Sequence, residues 1–167
     1  AFSISPAIEG IFLLSQGSMN FGFRPTSYFA SNTRYAVTIS TVMKSKGGGS
    51  LPTPYTFSFT TQPFEFRSSS PFAGETNVSR VKIITVEFSE FIDTGTVRNA
   101  FRISPEIAGE FNFVSYFPYR FQFNPAPLLE PNTTYTVTLT SDLKTWGGSP
   151  LSPPYTSSPA ARTSTST

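Results

Sequence analysis

The side chains able to do chemistry are few and thinly spread. His and Cys are both absent from the 167 residues. The commonest general base, the usual partner of a serine nucleophile, and the imidazole and thiolate metal ligands are therefore all missing. What remains is one acidic knot, Glu87, Glu90 and Asp93. Paired carboxylates can run acid–base chemistry or hold a hard cation such as calcium. In an extended strand, however, Glu87 and Glu90 project from opposite faces, which argues against catalysis. Glu90 and Asp93 are left as the one candidate cation site, with calcium as its ion; no other cofactor and no enzymatic activity are expected. Trp146 is the sole Trp and stands beside Gly147 and Gly148, where an aromatic ring can stack on a sugar or insert into a partner. Asn77-Val78-Ser79 and Asn132-Thr133-Thr134 fit the N-glycosylation pattern.

These residues sit in a chain built of strand formers and chain breakers. Charged residues make up 13%, Phe contributes 18 residues, Pro 15 and Gly 11, a mixture that favours strands joined by turns over helices. The 12 Lys and Arg are scattered and the formal charge is +2, so there is no electrostatic footprint for nucleic acid. No apolar run approaches the roughly 20 residues that cross a bilayer as a helix, and the opening Ala1 to Pro6 lacks the basic region of a signal peptide. The expectation is a chain that spans no membrane, either mature or excised.

An internal repeat organises everything else. AFSISPAIEGIF at 1–12 matches AFRISPEIAGEF at 100–111 with 8 of 12 residues identical. After one inserted residue, 21–56 match 121–156 with 15 of 36 identical. The matched segments alternate as half-buried strands do: Tyr35, Val37 and Ile39 share one face, as do Tyr135, Val137 and Leu139. Phe21 and Phe23, Phe121 and Phe123, and Tyr55, Phe57 and Phe59 repeat the pattern, while Pro25, Pro52, Pro125 and Pro153 punctuate the ends. The counterpart of Trp146 is Lys46; a core position would keep an apolar residue in both copies, so Trp146 is expected to face solvent or an interface.

Between the copies, residues 66–99 have no counterpart upstream. They hold the best strand pattern of the chain, Val81 to Phe88, after the turn-like Ser70-Pro71-Phe72-Ala73-Gly74. A complete or nearly complete module is expected over 63–160, opening with these strands and closing in the repeated part. Residues 1–62 then read as the later strands of another module whose opening strands are absent from this sequence. Residues 161–167 read as a Ser/Thr-rich tail or linker. The second copy is expected to have lost its closing strand, because Ser157 and Pro159 stand where Phe57 and Phe59 stand in the first.

The order of motifs resembles the bacterial Ig-like domain family, whose members occur in tandem in S-layer proteins, surface adhesins, secreted polysaccharide-acting enzymes and bacterial macroglobulin-like proteins. The resemblance rests on Pro71-Phe72-Ala73-Gly74-Glu75-Thr76-Asn77-Val78 and on Phe88-Ser89-Glu90-Phe91-Ile92-Asp93, in which Phe91 replaces the usual Pro. It rests further on Leu129-Glu130-Pro131-Asn132-Thr133-Thr134-Tyr135, eroded in the first copy to Phe29-Ala30-Ser31-Asn32-Thr33-Arg34-Tyr35. The closing phrase survives as Lys144 to Leu151 and Lys44 to Leu51, without its usual Asp and Asn. The resemblance implies an all-β fold of tandem Ig-like antiparallel β-sandwiches. Tyr35 and Tyr135 then stand where a tyrosine corner would, with the ring in the core and the hydroxyl on a nearby backbone group.

The functional expectation is a non-catalytic structural or adhesive segment of an extracellular or cell-surface protein, a filament or S-layer subunit assembling by strand complementation being one form of it. Its partners would be neighbouring Ig-like modules or identical subunits met through exposed strand edges. The alternative is a carbohydrate-binding accessory module of a secreted enzyme, with surface polysaccharide as partner and Trp146 as the binding residue.

Overall fold

The computed structural model describes residues 1–14 and 20–157, apart from the side chain of Leu14. The chain divides into two compact units, Ala1–Pro63 and Phe64–Thr167, and the described residues are almost entirely strand and turn.

The second unit is a two-sheet sandwich. β6 (Phe66–Ser70), β7 (Ile84–Phe88), β9 (Gly109–Asn112) and β10 (Arg120–Pro125) form a sheet in the order β6-β7-β10-β9. β8 (Phe101–Ser104), β11 (Thr136–Leu139) and β12 (Tyr155–Ser157) form the second, in the order β12-β11-β8; all pairings are antiparallel. Alternation puts Ile84, Val86 and Phe88 of β7 and Phe121 and Phe123 of β10 on one inner face, with Phe101, Val137 and Leu139 on the other, and these merge into a single core. Phe101 meets Phe121 edge-on at 5.9 Å and Phe123 at 4.9 Å, so the two sheets are locked by aromatic rings.

In the first unit, β1 (Phe2–Ser5), β4 (Arg34–Ile39) and β5 (Tyr55–Thr60) form one sheet in the order β1-β4-β5, and β2 (Gly10–Leu14) pairs with β3 (Phe21–Pro25) in another. These five strands are the counterparts of β8, β11, β12, β9 and β10. Among the described residues nothing in this unit takes the place of β6 and β7.

The repeat extends to details that need particular residues. Asn32 and Asn132 have φ of 48° and 53°, a left-handed turn that Asn tolerates better than most side chains. The next residue closes the turn in both copies, Thr33 Oγ1 donating to the Ser31 carbonyl at 2.8 Å and Thr133 Oγ1 to the Pro131 carbonyl at 3.0 Å. A Cβ at Gly10 or Gly109 would run into the ring of Phe23 or Phe123 and the backbone carbonyl behind it, which is why the glycine stands in both copies.

Four expectations need correction. The strand read as Val81 to Phe88 begins only at Ile84: Lys82 donates to the Ser79 carbonyl at 2.9 Å in a turn, and Val81 and Ile83 are exposed. The closing strand of the second copy is present as β12, paired with β11 through Ser157 and anchored by Tyr155, which stacks on Phe66 at 3.5 Å; Pro159 lies outside the described residues. Tyr55, Phe57 and Phe59 of β5 are all exposed. The chain also carries one helix, α1 (Thr94–Ala100), which buries Val97 and Ala100.

Candidate functional site

The acidic knot is taken apart by the fold. Glu87 lies on β7 opposite Arg120 of β10, paired with it at 3.5 Å and accepting from Ser68 Oγ at 3.1 Å. Arg120 in turn lies over the ring of Phe117 at 4.1 Å. Glu87 thus belongs to a cross-strand ladder on the half-exposed side of the sheet, where such a pair contributes little net stability. Asp93 is the N-cap of α1: its Oδ1 accepts from the Gly95 N–H at 3.0 Å, and its carbonyl takes both the N–H and the hydroxyl of Thr96. Glu90 is half-buried. Among the described residues no three His, Cys, Asp or Glu side chains converge as a metal site would need.

Asp93→Ala is expected to destabilise the second unit by about 1 kcal/mol, the usual worth of a lost N-cap. The loss should be the same with calcium present or chelated, because a capping bond needs no cation. Urea unfolding followed by the fluorescence of Trp146 measures it. A loss seen only with calcium would place a cation at Glu90 and Asp93.

Trp146 is 55% exposed in the turn between Lys144 and Pro150, which close on each other in a bridge. Its backbone N–H donates to the Phe91 carbonyl at 3.2 Å and its ring meets that of Phe91 edge-on at 6.0 Å. Phe91 is also exposed. The result is a solvent-facing aromatic pair held by backbone bonds on both sides, since Ile92 bridges Thr145. Phe91 is a residue that sequence reasoning misses; its replacement of the usual Pro is the available signal.

Tyr35 and Tyr135 are both buried, and each hydroxyl accepts a 3.1 Å hydrogen bond from the backbone N–H five residues earlier, Ala30 and Glu130. The asparagines of both glycosylation sequons have positive φ, 58° at Asn77 and 53° at Asn132, and Asn132 occupies the turn before Tyr135.

An apolar groove that the sequence motifs did not single out lies in the first unit. It measures about 540 Å³ and is lined by residues that include Phe2, Phe21, Phe23, Val37, Ile39 and Phe57. The rings of Phe2 and Phe23 stack at 4.9 Å, and Phe12 meets Phe2 edge-on at 5.1 Å. The environments differ sharply from those of the second unit: Leu151 is 0% exposed and its counterpart Leu51 38%; Phe121 is 0% exposed, while Phe21 is only half-buried. No helix among the described residues is long and apolar enough to cross a membrane.

Among curated proteins, none matches the chain. Solved structures with a similar fold include an LD-transpeptidase in complex with imipenem, at 20% identity and a TM-score of 0.45, covering 59% of this chain and 39% of that one. An L,D-transpeptidase from Mycobacterium smegmatis is similar at 18% identity and 0.46, covering 60% and 41%. The N-terminal part of the bacterial S-layer protein SbsC is similar at 18% identity and 0.45, covering 59% and 23%. The chain thus spans less than half the length of each. The profile of the bacterial Ig-like domain matches twice, over residues 2–61 and 61–165. Two matches that together cover nearly the whole chain, on units in which each of the five strands of the first has a counterpart in the second, make this chain a member of the bacterial Ig-like domain family.

Proposed function

We propose that the chain is a non-catalytic structural segment of a bacterial cell-surface or secreted protein, engaging neighbouring Ig-like modules or other protein through exposed strand edges. The observation that carries this reading is the use made of the polar side chains. Glu87, Asp93, Tyr35 and Tyr135 are committed to a ladder, a helix cap and two turns. Antibodies raised against the chain should label intact cells of the source bacterium. Failure to label intact cells, with the protein recovered from the cytosol, overturns the surface placement.

The exposed Trp146–Phe91 pair favours one second reading, a module that stacks on polysaccharide. Retention of the purified chain on insoluble polysaccharide, lost in Trp146→Ala, is the result that would establish it. Under the structural reading both forms stay in the supernatant.

A further inference from the structure

We propose that the pocket between the edges of β8 and β9 in the second unit binds the carboxyl terminus of a peptide whose last residue is apolar. This site adds a ligand to the structural reading and does not depend on it.

The pocket has a volume of about 500 Å³, and the residues that line it include Arg98, Arg102, Ile103, Glu106, Ile107 and Phe111. β8 and β9 are the outer strands of their sheets, so it opens sideways between the two layers. Its floor is apolar: Ile103, Ile107 and Phe111 are half-buried and pack against the core. Its cationic groups are held in place. The Arg98 guanidinium lies 5.2 Å from the centre of the Phe111 ring. Arg102 Nη1 donates to the Phe101 carbonyl at 2.8 Å and reaches the Arg98 carbonyl at 3.5 Å. These bonds use one nitrogen of Arg102, and a guanidinium carries five N–H donors. Among the described residues neither arginine has a carboxylate partner. Glu106 shares the pocket without pairing to either, and Glu110 alternates to the opposite side of β9 from Phe111.

The fold does not need these charges. The first unit repeats the apolar lining, with Ile4, Ile8 and Phe12 where Ile103, Ile107 and Phe111 stand, but it has Ser3 for Arg102 and Ala7 for Glu106. β1 pairs with β4 there as β8 pairs with β11, so the strands form without the arginine or the glutamate. Two guanidinium groups on one pocket favour an oxyanion, and a carboxylate fits their planar fork. The apolar floor takes a hydrocarbon side chain, and Glu106 takes an N–H donor. In an extended chain successive side chains point to opposite sides, so an internal Asp or Glu would send its apolar neighbours away from the pocket that takes its carboxylate. At a chain end the α-carboxylate, the side chain and the amide N–H all branch from one Cα, and a single residue meets all three walls. A volume of about 500 Å³ lies in the range that holds drug-sized ligands and leaves room for the residues ahead of the last one.

The test titrates the full chain with the acetylated tripeptide glycyl-glycyl-leucine, its carboxyl terminus free, and follows the backbone amide signals by NMR. The expected result is a saturable shift of signals from residues 98–111, with those of the counterpart segment 2–12 unmoved. The same peptide ending in a carboxamide should bind about tenfold more weakly or worse, since it loses the charge-assisted bonds at nearly constant shape. That control does not depend on whether any variant of the chain folds. A chain carrying Arg98→Gln and Arg102→Gln should lose affinity for the acid by a similar factor and bind the acid and the amide alike. Absence of a saturable shift, or a shift centred outside 98–111, overturns the proposal. Equal binding of the carboxamide overturns it in favour of a purely apolar groove, equal affinity for inorganic phosphate in favour of a general anion site, and equal affinity for free leucine in favour of an amino-acid site.

Discussion

Truncating Phe121 to Ala should cost the second unit about 3–5 kcal/mol, while truncating its counterpart Phe21 should cost the first unit no more than about 2 kcal/mol. The two residues share a strand position, a neighbouring Phe two residues on, and ring contacts to the equivalents of one another: Phe121 to Phe101 and Phe111, Phe21 to Phe2 and Phe12. They differ in what lies on the other side. Phe121 also stacks on Phe88 at 6.0 Å and is fully enclosed, so its removal leaves a cavity that the interlocked rings of both sheets resist collapsing. Phe21 opens into the groove, and a void that already reaches solvent adds little to the transfer term. The sole Trp, Trp146, lies in the second unit and makes its unfolding separately visible; exchange at Arg34–Ile39 tracks the first. Equal losses at the two positions would mean that Phe21 is as enclosed as Phe121 and would sink the contrast.

The same comparison shows why some of this is legible in sequence and some is not. A period of two is a local property, and where it is regular, as in Ile84, Val86 and Phe88, it places both the strand and its buried face. Family membership and the all-β fold are also legible, because motifs such as the turn-forming Asn-Thr pairs are demanded by backbone geometry within a few residues. Burial is not local. Tyr55, Phe57 and Phe59 alternate as well as any strand in the chain, yet all are exposed, since the sheet opposite them has two strands where its counterpart has four. The pattern records the face they would bury and not whether anything covers it. Val81 and Ile83 err the other way, being apolar residues in and just after the turn closed by the Ser79–Lys82 bond. The helix α1 escapes sequence reading because seven residues opening Thr-Gly-Thr carry too little periodicity to register. Its one local signal is Asp93 followed two residues later by Gly95, and an acidic residue beside Glu90 suggests an ion site as readily as a cap.

Replacing Tyr135 by Ala is expected to destabilise the second unit by about 3–5 kcal/mol, and by Phe by about 1 kcal/mol. The ring packs with Val78 and Leu129 in a small satellite core beneath the turn, so its removal empties a site walled by residues from three separate segments of the chain. The hydroxyl accepts from the Glu130 N–H at 3.1 Å, and Tyr135→Phe leaves that donor without its acceptor at nearly constant volume, which isolates the hydrogen bond from the packing. In the first unit Tyr35 makes the same bond, to the Ala30 N–H at 3.1 Å. Its ring rests on Phe29 at 4.8 Å and Phe59 at 5.6 Å, and Phe59 is itself exposed. Tyr35→Phe should therefore cost about as much as Tyr135→Phe, because the bond is local and identical, whereas Tyr35→Ala should cost less than Tyr135→Ala, because one wall of its pocket can move. Urea midpoints for the four variants separate the two contributions. A loss below about 1 kcal/mol for Tyr135→Ala would show that the turn before β11 is held by Asn132 and Thr133 alone and that the tyrosine is not its anchor.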